Sequence, residues 1–107
     1  MTSFDNREQA FENQFAREEE MAFRITARRN KLTGRWAAEK MGLTPAETDS
    51  YATSVVQADF EEGGDHDVVR KITGDMAAAG LDTSEDEVRA ALSANTIEAR
   101  RQLMESQ

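Results

Sequence analysis

Three breaks rich in glycine and proline divide the chain, and at each the flanking residues carry helix stop and start chemistry. Gly42 suits the left-handed position that ends a helix. Thr44-Pro45-Ala46-Glu47 then supplies an N-cap, a proline at the first helical position and the reciprocal glutamate of a capping box. Gly63-Gly64 closes a second helix, and Asp65 is expected to cap a third that runs to about Ala79, before Gly80. Ser84-Glu85-Asp86-Glu87 reads as another capping box, opening a last helix to about Glu105. No run alternates with period two, so strands are not expected. The fold class that follows is all-α, a four-helix bundle.

Apolar residues recur at helical spacing in each segment. Met21, Ile25, Leu32 and Trp36 form one stripe, with Trp36 read as a core anchor, and Tyr51, Ala52, Val55, Val56 and Phe60 form a second face. Val69, Ile72, Met76 and Ala79 line the third segment. Val88, Leu92, Ala99 and Leu103 line the fourth, with Asn95 and Thr96 as polar notches on the same side.

With 107 residues the chain makes one compact domain, and its segments are of unequal length. A first helix from about Phe4 to Met41 would span ~57 Å, whereas the other segments make only ~21 to 33 Å. The first helix is therefore expected to overhang, dividing the chain into an N-terminal segment, residues 1–20, mobile when free, and a bundle, residues 21–107. Phe4, Phe11 and Phe15 lie on the overhang without an obvious intramolecular cover. A partner groove that takes anchors at i, i+4 and i+7, a helix that bends back, or pairing in a homodimer would each cover them.

Charge is distributed in blocks. Residues 21–42 hold Arg24, Arg28, Arg29, Lys31, Arg35 and Lys40 against Glu39 alone, and residues 43–67 hold seven acids and no base. The Arg28-Arg29-Asn30-Lys31 run is thus expected to pair within the chain, with the acidic second and third helices. Overall, 21 acids against 13 bases give a net charge of -8, which disfavours nucleic acid and anionic lipid as partners. Cysteine is absent, which excludes disulfides, thiolate metal sites and cysteine nucleophiles. No apolar run approaches the ~18 residues of a membrane span and no apolar leader opens the chain, so a cytoplasmic protein is expected.

Chemistry-bearing constellations are sparse. Asp65-His66-Asp67 contains the one histidine, but neighbours at a helix start diverge and no second histidine completes a metal set; a capping, exposed role is expected. Glu18-Glu19-Glu20 fans out by ~100° per residue and lacks a calcium-loop pattern, so it reads as a solvated face. Neither a catalytic residue nor a metal site is expected. No phosphate loop is present to fix a nucleotide.

The combination of blocks is specific enough to suggest a family. Phe4-Asp5-Asn6-Arg7-Glu8, Ala10-Phe11-Glu12, Phe15-Ala16 and Ala27-Arg28-Arg29-Asn30-Lys31-Leu32, with Gly34 and Trp36-Ala37-Ala38, resemble the alphaproteobacterial ATPase-inhibitor zeta subunits. Tyr51-Ala52, Val55-Val56, Ala58-Asp59-Phe60-Glu61-Glu62 and Asp67-Val68 with Arg70-Lys71 are similar to the family's later blocks, and the likeness weakens over Ser84–Gln107. The resemblance implies a non-enzymatic regulator, a monomer when free, that inhibits ATP hydrolysis by the F1 sector of ATP synthase. It implies contact with the α, β and γ subunits through roughly Thr2–Glu19, with Phe4, Arg7, Phe11, Phe15 and Arg17 as the binding residues. The N-terminal segment would wedge into a catalytic α/β interface near the γ stalk. The resemblance implies no required cofactor, although weak adenine-nucleotide binding on the bundle is suggested for some members. A self-associating helical scaffold is the alternative reading.

Overall fold

The computed structural model describes residues 2–62 and 64–106, with side chains for 17–59 and 64–106. Four helices follow one another: α1 (Thr2–Lys40), α2 (Pro45–Glu62), α3 (Asp65–Ala78) and α4 (Glu85–Glu105). No strand occurs among the described residues. α1 packs against both α2 and α4, α3 closes the fourth side, and among the described residues the backbones of α2 and α4 do not come into contact. Cross-helix pairs fix the directions. Arg28 bonds Gln102 while Thr33 bonds Asn95, so α4 runs antiparallel to α1.

Local chemistry sets most helix ends as expected. Thr44 N–H donates to Glu47 Oε1 at 3.0 Å and Glu47 N–H to Thr44 Oγ1 at 3.2 Å, closing the capping box. That hydrogen bonding, the backbone donor first, holds the exposed Glu47 carboxyl below its ordinary pKa. Ser84 Oγ accepts from Glu87 N–H and caps α4. At the end of α1, Gly42 has φ 74°, and Leu43 N–H reaches back to the Ala38 carbonyl at 3.0 Å, a turn in which a side chain would be strained. The start of α3 departs from expectation. Gly64, with φ 98°, is the N-cap and brings no side-chain cap, while Asp65 is already helical.

The core is built from Ala37, Val55, Val68, Val69, Ile72, Met76, Val88 and Leu92, with Trp36, Met41, Tyr51 and Leu81 packed against it. Two apolar assignments change. Ala79 is exposed beyond the end of α3, and Val68 takes its place in the core. In α1 the expected stripe Met21, Ile25, Leu32 and Trp36 is only partly buried, and the buried face is Arg29, Asn30, Thr33, Gly34, Ala37 and Ala38. Close approach to α2 explains this: a Cβ on Gly34 would lie 2.8 Å from the Ala52 Cα, leaving space for small residues alone. Trp36 lies at the edge of the core, with Lys40 Nζ 5.3 Å from its ring centroid.

α1 outlasts its neighbours. Its 39 residues correspond to ~58 Å, against 21 residues in α4, the next longest. Phe23 shares a cleft with Asp59 of α2, and Arg24 shares another with Leu103 of α4, so both neighbours end within about one turn of Met21. None of residues 17–28 is buried. The resulting shape is elongated, 65 × 26 × 21 Å, with a radius of gyration of 17.4 Å against about 13 Å for a compact chain of this length.

Candidate interaction surface

Where α1 enters the bundle, Arg29, Asn30 and Thr33 are buried, and most of their polar groups are bonded. The Arg29 guanidinium donates to Asn30 Oδ1 from Nε at 3.1 Å and from Nη2 at 2.9 Å, and Nη2 also donates to Asp65 Oδ1 at 2.8 Å. One turn on, Thr33 Oγ1 donates to the Arg29 carbonyl at 2.8 Å and accepts from Asn95 Nδ2 at 3.0 Å. A buried hydroxyl engaged on both sides costs little to bury. These bonds tie α1 to α3 and α4 just where its exposed half begins. The expected pairing of the basic run with acidic neighbours is met by Arg29 with Asp65, and Arg35 lies 3.5 Å from Asp49. Arg28 instead donates to the Gln102 amide of α4 at 2.9 Å.

Asn95, read in sequence as a polar notch, faces the Thr33 hydroxyl, and its partner lies too far along the chain for local spacing to reveal. Tyr51, read as apolar, has a bonded tip. Its hydroxyl donates to Asp75 Oδ2 at 2.9 Å, and Lys71 Nζ donates to the same oxygen at 3.1 Å. Burial first, and then the Asp75 carboxylate, push the Tyr51 phenol well above its ordinary pKa. On α4, Arg101 clamps Glu98 from one side and Glu105 from the other. The Arg101 hydrogen bond, followed by that from Gln102, holds the half-exposed Glu98 carboxyl down at about 2. His66 is exposed, and its Nε2 lies 3.1 Å from Arg70 Nη2. No group of three or more metal-ligand side chains occurs among the described residues.

Of the residues that the sequence singles out for binding, Phe4, Arg7, Phe11 and Phe15 lie outside the described side chains. Arg17 is exposed and borders a surface dip formed with Glu20, Met21 and Arg24 of its own helix. Phe60 also lies outside the described side chains. A separate cleft of about 190 Å³ between α1 and α2 is lined by Phe23, Thr26, Ala27, Asn30, Val56 and Asp59. Asn30 Nδ2 is buried beside it without a hydrogen bond among the described residues.

The class defined by this architecture is a small all-α bundle with one helix, α1, far longer than the other three. The sequence profile of ATPase inhibitor subunit zeta matches residues 1–102, and the chain belongs to that family. Among solved structures, one protein determined by solution NMR is 45% identical, with a TM-score of 0.71. The match covers 81% of this chain and 99% of that one. No curated protein matches the sequence. Among the described residues, no helix is long and apolar enough to cross a membrane.

Proposed function

We propose that the chain inhibits ATP hydrolysis by the F1 sector of ATP synthase, by inserting residues 1–20 at a catalytic α/β interface near the γ stalk. The observation that carries this reading is the coincidence of the family match over residues 1–102 with a first helix longer than its bundle. Phe4, Phe11 and Phe15 enter the interface as apolar anchors, while Arg7 and Arg17 set register through charged contacts. The inserted segment blocks the rotation that hydrolysis needs. The chain acts as a cytoplasmic regulator rather than an enzyme, and requires no cofactor.

Energetics favour a pre-formed helix. Burial of three phenylalanines contributes about 1.5 to 3 kcal/mol each, whereas ordering fifteen free residues costs about 1 to 2 kcal/mol apiece. Ordering would dominate if the segment began as coil. Continuity with the part of α1 held by Thr33, Gly34 and Ala37 supplies the helix nucleus and lowers that cost.

Titration of purified F1 with the full chain, and with a variant lacking residues 1–18, tests the reading. The full chain suppresses hydrolysis; the truncated chain keeps its melting transition and leaves hydrolysis intact. Full hydrolysis at saturating, demonstrated binding of the complete chain removes the inhibitor reading, and inhibition by the truncated chain removes the wedge.

A second reading, self-association, has its own support. Ile97 and Met104, seven residues apart on α4, are 71% and 67% exposed. Mass at working concentration decides it: a stable dimer is the expected result under this reading, and a monomer rejects it.

A further inference from the structure

We propose that the outward face of α1 at Arg24, Arg28 and Lys31 is a second docking surface. It takes an acidic segment of the same ATPase, with an apolar side chain seated between Val56 and Leu103. This inference rests on the inhibitor reading.

The first support is the composition of the cleft. Arg24, Ala27, Arg28 and Lys31 of α1 line about 410 Å³ together with Val56 of α2 and Leu103 of α4. Three cations thus surround an apolar floor to which each flanking helix contributes one residue. An apolar centre within a charged rim is the arrangement by which a protein surface receives a partner's side chain.

The second support is charge that, among the described residues, is only weakly paired or unpaired. Arg24 pairs with Glu20 at 2.7 Å, with both side chains more than half exposed, and such a pair yields readily to competition. Arg28 donates to a neutral amide, and Lys31 has no carboxylate within ion-pair distance among the described residues. Two acids of the acidic block are turned elsewhere, Asp65 to Arg29 and Asp49 to Arg35. In a chain of net charge -8, this cationic face can orient the molecule toward an acidic surface that would otherwise repel it.

Continuity identifies the occupant. Arg17, Arg24 and Lys31 follow one another at seven-residue spacing on an uninterrupted helix, a line of ~21 Å that drifts by only ~20° per step. By the same helical geometry, Phe4, Phe11 and Phe15 fall roughly 140 to 180° around the axis from Arg24. A cleft that encloses the N-terminal segment meets both sides of the helix. Where α1 leaves that cleft, the cationic line runs over the rim, so the rim of the same partner is the surface it reaches.

The test compares the full chain carrying R28E and K31E with a control of equal charge change on other faces, R70E with R89E. Inhibition of purified F1 is titrated at low and at raised ionic strength, with melting curves for every variant. The expected result is a half-inhibitory concentration about tenfold higher for R28E/K31E at low salt, a gap that narrows as salt screens the contact, and little change in the control. A photo-crosslinking residue in place of Leu103 is expected to capture an F1 subunit. Equal potency of R28E/K31E and wild type, an equal loss in the control, or no capture from position 103 overturns the proposal. Should R28E/K31E melt early, the single Lys31→Glu variant at an exposed side chain gives the same comparison, and wild-type potency for it overturns the proposal. A wild-type chain that neither binds nor inhibits F1 overturns the inhibitor reading and this inference with it. Normal inhibition without the R28E/K31E effect overturns the inference alone.

Discussion

The Arg29 guanidinium, 11% exposed at its side chain, meets the Asp65 carboxylate, 58% exposed, at 2.8 Å across α1 and α3. The two ends of this pair are unequal. The cation is held in the bundle wall with Asn30 as its other partner, while the anion sits at the rim and retains much of its water.

Asp65→Asn is therefore expected to cost about 1 to 2 kcal/mol. That is less than the loss of a fully buried pair, because water reaches the vacated side, but more than a surface pair is worth. Asp49→Asn, which loosens the exposed Arg35 contact at 3.5 Å, stays within about 0.5 kcal/mol of wild type. Urea denaturation of both variants checks the ordering; equal midpoints would refute it.

Gly34→Ala sets two effects against each other. Alanine gains about 1 kcal/mol of helix propensity over glycine. The added Cβ, however, would sit 2.8 Å from the Ala52 Cα and 3.2 Å from Val55 Cγ2, and the nearer atom is backbone that cannot rotate away. Overpacking costs about 1 to 3 kcal/mol, so net destabilisation is expected, and Gly34→Val should be worse. A raised melting temperature for Gly34→Ala would show that the two helices separate easily. Gly74, where an added Cβ would meet nothing within 4 Å, is the matched site where alanine stabilises.

Tyr51 is the one tyrosine in the chain, so its ionisation can be followed by absorbance without assignment. Its folded-state pKa is raised above the ordinary value of 10.0, first by burial and then by Asp75. The stability this provides is full below pH 10 and is lost as pH rises further, because the unfolded chain releases the phenolic proton first. Tyrosinate should thus appear together with loss of helical signal, beyond the pH at which a free phenol ionises. Ionisation near pH 10 in a chain that stays folded would contradict the Asp75 bond.

Glu98 titrates in the opposite sense. Its carboxyl lies at about 2, below the ordinary 4.5, because Arg101 and then Gln102 donate to the charged form. Any stability it adds is present above pH 4.5 and fades as pH falls toward 2, and solvent screening keeps it small. Carbon-detected NMR titration should place the midpoint near 2 in wild type, and Arg101→Gln should return it toward the ordinary range. The same low midpoint in both proteins would exclude the Arg101 bond as the cause.

Helix number, helix class and most boundaries were legible because their causes are local. Thr44 and Glu47, or Ser84 and Glu87, lie three residues apart, so the bonds that open α2 and α4 are written in adjacent positions. The excess length of α1 was legible for the same reason, since residue count alone sets axial rise. The family likeness rested on blocks along the chain and needed no fold. Asp65 shows where this reasoning stopped: its position suited a cap, but a guanidinium 36 residues away in sequence claimed the carboxylate.

Which face of α1 turns inward was decided by the tertiary structure. Helical periodicity marks Met21, Ile25, Leu32 and Trp36 as an apolar stripe, yet the closeness of α1 and α2 at Gly34 and Ala52 excludes large side chains from the contact. Small and bonded polar residues fill it instead, and Trp36 is displaced to the rim. Asn95 finds Thr33 across 62 residues, and Tyr51 finds Asp75 across 24, through proximity that no local rule encodes. Capping and amphipathic period depend on neighbours within a turn and can be read along the chain. Interhelical distance depends on all four helices at once, and it determines which polar groups are buried together and which cations remain outside.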